Sequence, residues 1–135
     1  MIVVDTNVIA YLLIQGERTD AARAVWQRDP QWLAPPLWRS EFLNVLAVSV
    51  RAQVLSESDA RKAWSSGLTV MGHREVEVSG SDVLAAAIKY RLSAYDAQFV
   101  VAAAVNGTRL VTGDRRIPAA CPELSVELDD FVRGG

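Results

Sequence analysis

The sequence predicts an α/β fold, a three-layer α/β/α sandwich around a short, mostly parallel central sheet. Three observations predict it. Short β-branched runs alternate with longer stretches of helical periodicity, the signature of βαβ units. The run Ile2-Val3-Val4 is apolar throughout, as a strand covered on both faces is. The 135 residues, half of them hydrophobic, suffice for one domain with a real core and show no linker, repeat or low-complexity stretch. The expected organisation is a single domain over residues 1–135.

Taken in order, Ile2-Val3-Val4 is a buried central strand that stops at Asp5. Val8, Ile9, Leu12 and Leu13 repeat at helical spacing, and Gly16 is the expected stop of that helix. Thr19 or Asp20 can cap a second helix carrying Ala21, Ala22, Val25 and Trp26, which Asp29-Pro30 breaks. Residues 31–34 suit a short strand before Pro35-Pro36. A long helix is expected from Leu37 to Gln53, and another from the Ser56-Glu57-Ser58-Asp59 start towards Gly67.

His73 to Val78 alternates polar and apolar residues like a half-exposed strand. Ser79, Ser81 or Asp82 can cap the helix bearing Val83, Leu84, Ala87 and Ile88. Ser93 caps the next, Ala94 to Val105, which Asn106-Gly107 ends. Residues 109–112 form a strand, Gly113-Asp114 the turn leaving it, and residues 124–126 a last edge strand. The tail 133–135 is expected to fray.

Composition narrows the function. With 14 basic and 16 acidic residues, bulk charge cannot hold a polyanion, so nucleic acid would need a local basic patch or bound cations. One Cys and one His leave no Cys/His zinc set and no intramolecular disulfide. Cys121 reads as a small apolar filler and His73 as a surface residue. The start lacks the pattern of a secretory signal, and the longest apolar run, 99–105, is too short to cross a bilayer. A cytoplasmic protein is the expectation.

Candidate chemistry gathers on acids. In an open α/β sheet the usable crevice lies beyond the carboxyl ends of the strands. Asp5 directly follows one strand and Asp114 follows another after one glycine. Asp96 lies in the first turn of its helix. Glu41 sits within a long helix among Leu37, Val45 and Val48, where a carboxylate is costly unless satisfied. Singly, each acid has a plain structural reading: Asp5 and Asp114 as turn or cap residues, Asp96 as a complement to a helix N-terminus, Glu41 as a partner of Arg39 or Arg51. Together they describe a pocket that cannot stay fully ionised without a cation. Hard oxygen donors select Mg²⁺ or Mn²⁺. A divalent ion so held, open to solvent, is equipped for phosphodiester hydrolysis. Walker-type, G-x-G-x-x-G and G-x-S-x-G motifs are absent from the sequence.

The segments Ile2-Val3-Val4-Asp5-Thr6-Asn7, Glu41 after Pro35-Pro36, Tyr95-Asp96-Ala97 and Leu110-Val111-Thr112-Gly113-Asp114-Arg115 resemble the PIN-domain family, and within it the VapC-type toxins of toxin–antitoxin pairs. The resemblance covers nearly the whole chain. It implies Mg²⁺- or Mn²⁺-dependent endoribonuclease activity, with Asp5, Glu41, Asp96 and Asp114 as the acidic pocket. Asp5 and Asp96 are then the firmest metal ligands, Asp114 a ligand of a second ion or one acting through water, and Glu41 the group that orients the attacking water. It further implies an RNA substrate, a cognate antitoxin and a homodimer. Thr6 and Asn7 match polar residues beside the first acid; Thr6 can also cap the first helix while its hydroxyl holds Asp5. Arg115 and Arg116 are placed to meet RNA phosphate or to be surface charges. Trp26, Trp32, Trp38 and Trp64 are core residues or surface that partners cover.

Two other readings remain open at this level. One is a phosphatase- or receiver-like phosphotransfer domain, though Asn7 stands where the phosphatase pattern wants a second acid. The other is a non-catalytic module whose acidic pocket grips a basic peptide.

Overall fold

Ile2–Val4 forms β1 and Leu110–Thr112 forms β3, and every residue of both is buried. The structure, a computed structural model, describes residues 1–134; Gly135, the end of the expected frayed tail, lies outside the described residues. Trp32–Leu33 (β2) and Ser125–Glu127 (β4) complete a parallel sheet ordered β2-β1-β3-β4. Each strand of three residues is buried throughout, which requires cover on both faces. The helices α1 (Thr6–Leu13), α2 (Thr19–Arg28), α3 (Leu37–Arg51), α4 (Glu57–Met71), α5 (Gly80–Tyr90), α6 (Ala94–Val105), α7 (Arg116–Ala120) and α8 (Leu128–Val132) supply it. Helix α6 packs on β1 and β3, α1 and α8 on β3, and α4 on β2. The three-layer α/β/α expectation holds. Among the described residues no helix is long and apolar enough to cross a membrane.

The strand order makes β1 the point where the chain steps first to β2 and later, on the other side, to β3. Crevices form at such a switch, beyond the carboxyl ends of the strands. The register sets Val4 beside Val111, so Asp5 and Thr112 emerge together at that end.

The core is aromatic as well as aliphatic. Trp32 and Trp38 are fully buried, and each indole N–H has an acceptor, Asp29 O at 2.8 Å and Glu75 Oε2 at 2.8 Å. Trp64 stacks obliquely on Trp38, and Trp26 meets Trp32 edge-on. The four indoles are thus core and near-core groups.

Several local expectations are corrected. Helix α1 ends at Leu13 with Ile14 extended behind it, and Gly16 takes no positive φ. Thr19 does not cap α2; its hydroxyl accepts from Gly16 N at 2.9 Å and donates to Ile14 O at 3.2 Å, closing the turn. Gly67 does not end α4, which runs on to Met71. A Cβ there would stand 3.1 Å from the Phe42 ring, so this glycine lets two helices approach. Residues 73–78 form no strand, only a single bridge from Glu75 to Ala34. Pro35 and Pro36 follow Ala34 and carry no N–H, so the ladder cannot continue. Gly107 does take the left-handed conformation expected after α6, at φ 62°.

Candidate active site

Asp5 leaves β1 in extended conformation and is itself the N-cap of α1. Its Oδ1 accepts from Thr6 N at 2.8 Å and its Oδ2 from the Thr112 hydroxyl at 2.8 Å. The expected roles of Thr6 are therefore redistributed. Thr112 holds the Asp5 side chain, and the Thr6 hydroxyl donates to Glu41 Oε1 at 2.7 Å. Glu41 reaches Thr6 rather than Arg39, which forks onto Glu75 at 2.7 and 3.0 Å.

Asp96 stands in the first turn of α6, its N–H capped by Ser93 Oγ at 3.0 Å. Asp114 follows β3 through Gly113. Its N–H donates to the Thr112 hydroxyl at 3.0 Å, so one buried oxygen links Asp5 and Asp114. Asn7 Oδ1 accepts from Gly113 N at 3.0 Å. A Cβ at Gly113 would lie 2.8 Å from the Tyr11 ring and 3.3 Å from that oxygen, so only glycine fits the crossing.

These side chains line one cleft of about 310 Å³, walled by Asp5, Thr6, Asn7, Glu41, Asn44, Val45, Asp96 and Asp114. All four acids expected from the sequence border it, with Thr6 and Asn7. Arg115 does not; it is exposed at the start of α7. The neighbouring Arg116 engages Asp114 instead, through Nε at 3.0 Å and Nη2 at 2.7 Å. Sequence reasoning missed Thr112 and Asn44. Asn44 stands three residues after Glu41 on α3, one helical turn along, a spacing that could have found it.

The electrostatics divide the acids. Burial pushes Asp5 up to about 7, against the Thr112 hydrogen bond that lowers it, with the Asp96 charge raising it further. Burial raises Glu41, opposed by Thr6 and helped by Asp96. Burial, then the Asp114 charge, raises Asp96. Asp114 alone is lowered, by Arg116. No cationic side chain offsets Asp5 or Glu41, and Asp96 feels Arg116 only as a lesser influence that burial and Asp114 outweigh. Glu127 gives the contrast: it too ends a strand and caps a helix, but Arg18 meets it at 2.9 Å.

The donors suit a hard divalent cation: they are carboxylate, amide and hydroxyl oxygens, with no His or Cys on the wall. Among the described residues no three acidic, His or Cys side chains close around a single point as they stand. Glu41 is turned to Thr6 and Asp114 to Arg116. An ion would draw on Asp5 and Asp96 most directly, since neither is paired with a cation.

Comparison with known proteins gives three findings. The family described as PIN domain matches residues 2–121. A Pyrobaculum aerophilum protein named Ribonuclease VapC3 is 29% identical over 127 residues, covering 91% of this chain and 96% of that protein. The crystal structure of PAE2754, also from Pyrobaculum aerophilum, superposes with a TM-score of 0.77 at 20% identity, covering 98% of this chain and 93% of the other. The last speaks to fold alone.

Proposed function

Because this chain belongs to the PIN-domain family, we propose that it is a metal-dependent endoribonuclease that hydrolyses RNA at the acidic cleft. The observation that carries the reading is the convergence of Asp5, Glu41, Asp96 and Asp114, drawn from four separate elements, on one open cleft. The similarity to a protein named as a ribonuclease over nearly its whole length supports the substrate.

Asp5 and Asp96 would hold Mg²⁺ or Mn²⁺, with Asp114 as a further ligand or one acting through water. When bound, the ion supplies a more acidic water and a charge that offsets the phosphate. Glu41, with Oε1 fixed by Thr6, has its second oxygen to orient the attacking water. Thr112 keeps Asp5 from turning, and Asn7 holds the Gly113 turn that presents Asp114. Arg115, exposed beside the turn, meets the RNA backbone. Water loses a proton as its oxygen bonds to phosphorus, the P–O3′ bond breaks, the leaving 3′ oxygen takes up a proton from solvent, and a 5′-phosphate and a 3′-hydroxyl result.

On the same likeness, the chain is the toxin of a cytoplasmic toxin–antitoxin pair and acts as a homodimer. Exposed Leu43, Val48, Leu84 and Ile88 provide apolar surface for such partners.

The test is cleavage of bulk RNA by purified protein in Mg²⁺ or Mn²⁺. Chelation, Asp5→Asn and Asp96→Asn should each abolish cutting while circular dichroism stays native. Full metal-dependent activity in either variant would end the assignment.

A further inference from the structure

A second cavity of about 370 Å³ adjoins the acidic cleft, with Asp96 and Asp114 as the shared wall. Its other side carries Arg91, Ser93 and Arg116. The sign of charge therefore changes across two residues, from a cleft without a basic side chain to a cavity with two arginines.

Arg91 is unusual in its backbone. It caps α5 at φ 55°, ψ 41°, the left-handed region that glycine occupies without strain. Among described non-glycine residues only Gln53 shares a positive φ. Its side chain is exposed, and among the described residues no hydrogen bond or ion pair engages its guanidinium. Nothing in the packing asks for arginine at this cap. Arg116 is 86% exposed and bound only to Asp114. A surface pair of that kind is weak. If the guanidinium leaves, Asp114 Oδ1 keeps the Arg116 backbone N–H at 3.0 Å.

A strand of phosphates crossing an acidic cleft in a chain of net charge −2 needs cationic contacts on its flank. We infer that the second cavity seats the RNA phosphate adjacent to the one being cut, with Arg91 as a contact already unengaged and Arg116 as one that transfers from Asp114 to the strand. The inference rests on the nuclease reading and adds to it a substrate subsite. Guanidinium forks match phosphate oxygens in a bidentate manner, which suits both residues to the task.

The experiment compares wild type with Arg91→Gly, Arg116→Gln and, as a remote charge control on α4, Arg61→Gln. KM and kcat are measured in Mg²⁺ on a random-sequence RNA. Binding of a fluorescein-labelled phosphorothioate RNA of about 20 nucleotides is followed by anisotropy over a KCl series. Arg91→Gly should melt at or above the wild-type temperature, because glycine relieves the left-handed strain. It should nevertheless raise KM and Kd about tenfold, with kcat nearly kept. Arg116→Gln should raise both constants similarly. Each should lower the slope of log Kd against log salt by about 0.7, the share of one single-strand phosphate contact. Arg61→Gln should change none of these.

Wild-type KM and salt slope in both cavity variants would overturn the inference while leaving the nuclease intact. A wild type that cuts no RNA would overturn the nuclease reading and the inference with it.

Discussion

Replacing Asp5 by Asn should stabilise the protein in chelator above neutral pH. Asp5 is 6% exposed, and burial has moved it from an ordinary value of 3.8 to about 7. Below pH 3.8 the acid is protonated in both folded and unfolded chains and contributes no pH dependence. Between the two values the unfolded chain ionises and the folded one does not, so stability falls as pH rises. Above 7 the penalty is complete. At 1.36 kcal/mol for each tenfold change in proton affinity, it is bounded at about 4 kcal/mol.

Asparagine avoids this penalty. Its Oδ1 can still accept from Thr6 N. Its amide can donate to the Thr112 oxygen, provided that hydroxyl turns its own proton away. Allowing about 1 kcal/mol for the reoriented bond leaves a net gain of about 3 kcal/mol at pH 8. For a chain of this size that is about 10 °C in melting temperature. The gain should vanish by pH 4. Thermal unfolding of both proteins in chelator at pH 4, 6 and 8 measures it. Mg²⁺ should then raise the melting temperature of wild type and not of Asp5→Asn. A variant less stable than wild type by the same margin at all three pH values would refute the account of Asp5 as an unrelieved buried charge.

Other outcomes follow from the same geometry. Thr112→Val strips a hydrogen bond from Asp5 and an acceptor from the Asp114 N–H, both at a fully buried hydroxyl. It should cost about 1–3 kcal/mol in urea unfolding and move the acid limb of the cleavage–pH profile upward. Gly113→Ala drives a Cβ against the Tyr11 ring and towards Asn7. Urea titration should show a loss of about 1–3 kcal/mol, and the kcat assay a larger proportional loss than the stability change explains. Glu75 is held below the usual range by the Arg39 guanidinium fork. Its contribution is present above pH 4.5 and lost as pH falls through the depressed folded value. The stability gap between wild type and Glu75→Gln should therefore narrow on acidification below pH 4.5, as read by fluorescence of the neighbouring Trp38.

Much of the fold was legible because its signals are local. The apolar run at residues 2–4, the strand read over residues 109–112, the Ser93 cap and the left-handed Gly107 each depend on a few adjacent residues. The failures were those in which a distant residue decides. Gly67 looks like a helix stop until Phe42 is packed against it. The alternation at 73–78 looks like a strand until its partner proves to be a two-residue strand followed by prolines. Thr112 could not be tied to Asp5 before the register of β1 on β3 was known.

The acids show why a site can be half visible in this way. The plain reading of Asp5 was a helix cap, and it is one; the same extended backbone and Thr6 N–H contact that cap α1 also aim the carboxylate at the cleft. Ser93 likewise fixes the first turn of α6 and with it the position of Asp96. Capping a helix and lining the cleft therefore do not compete for these residues, and a cap motif alone cannot separate them. What separates them is the company of the charge. Glu127 ends a buried strand and caps a helix as Asp5 does, but Arg18 neutralises it. Asp5 has only hydroxyl and amide donors, and its nearest charged neighbours are other acids. That difference is tertiary, and it makes Asp5 a group that gains from a cation where Glu127 does not.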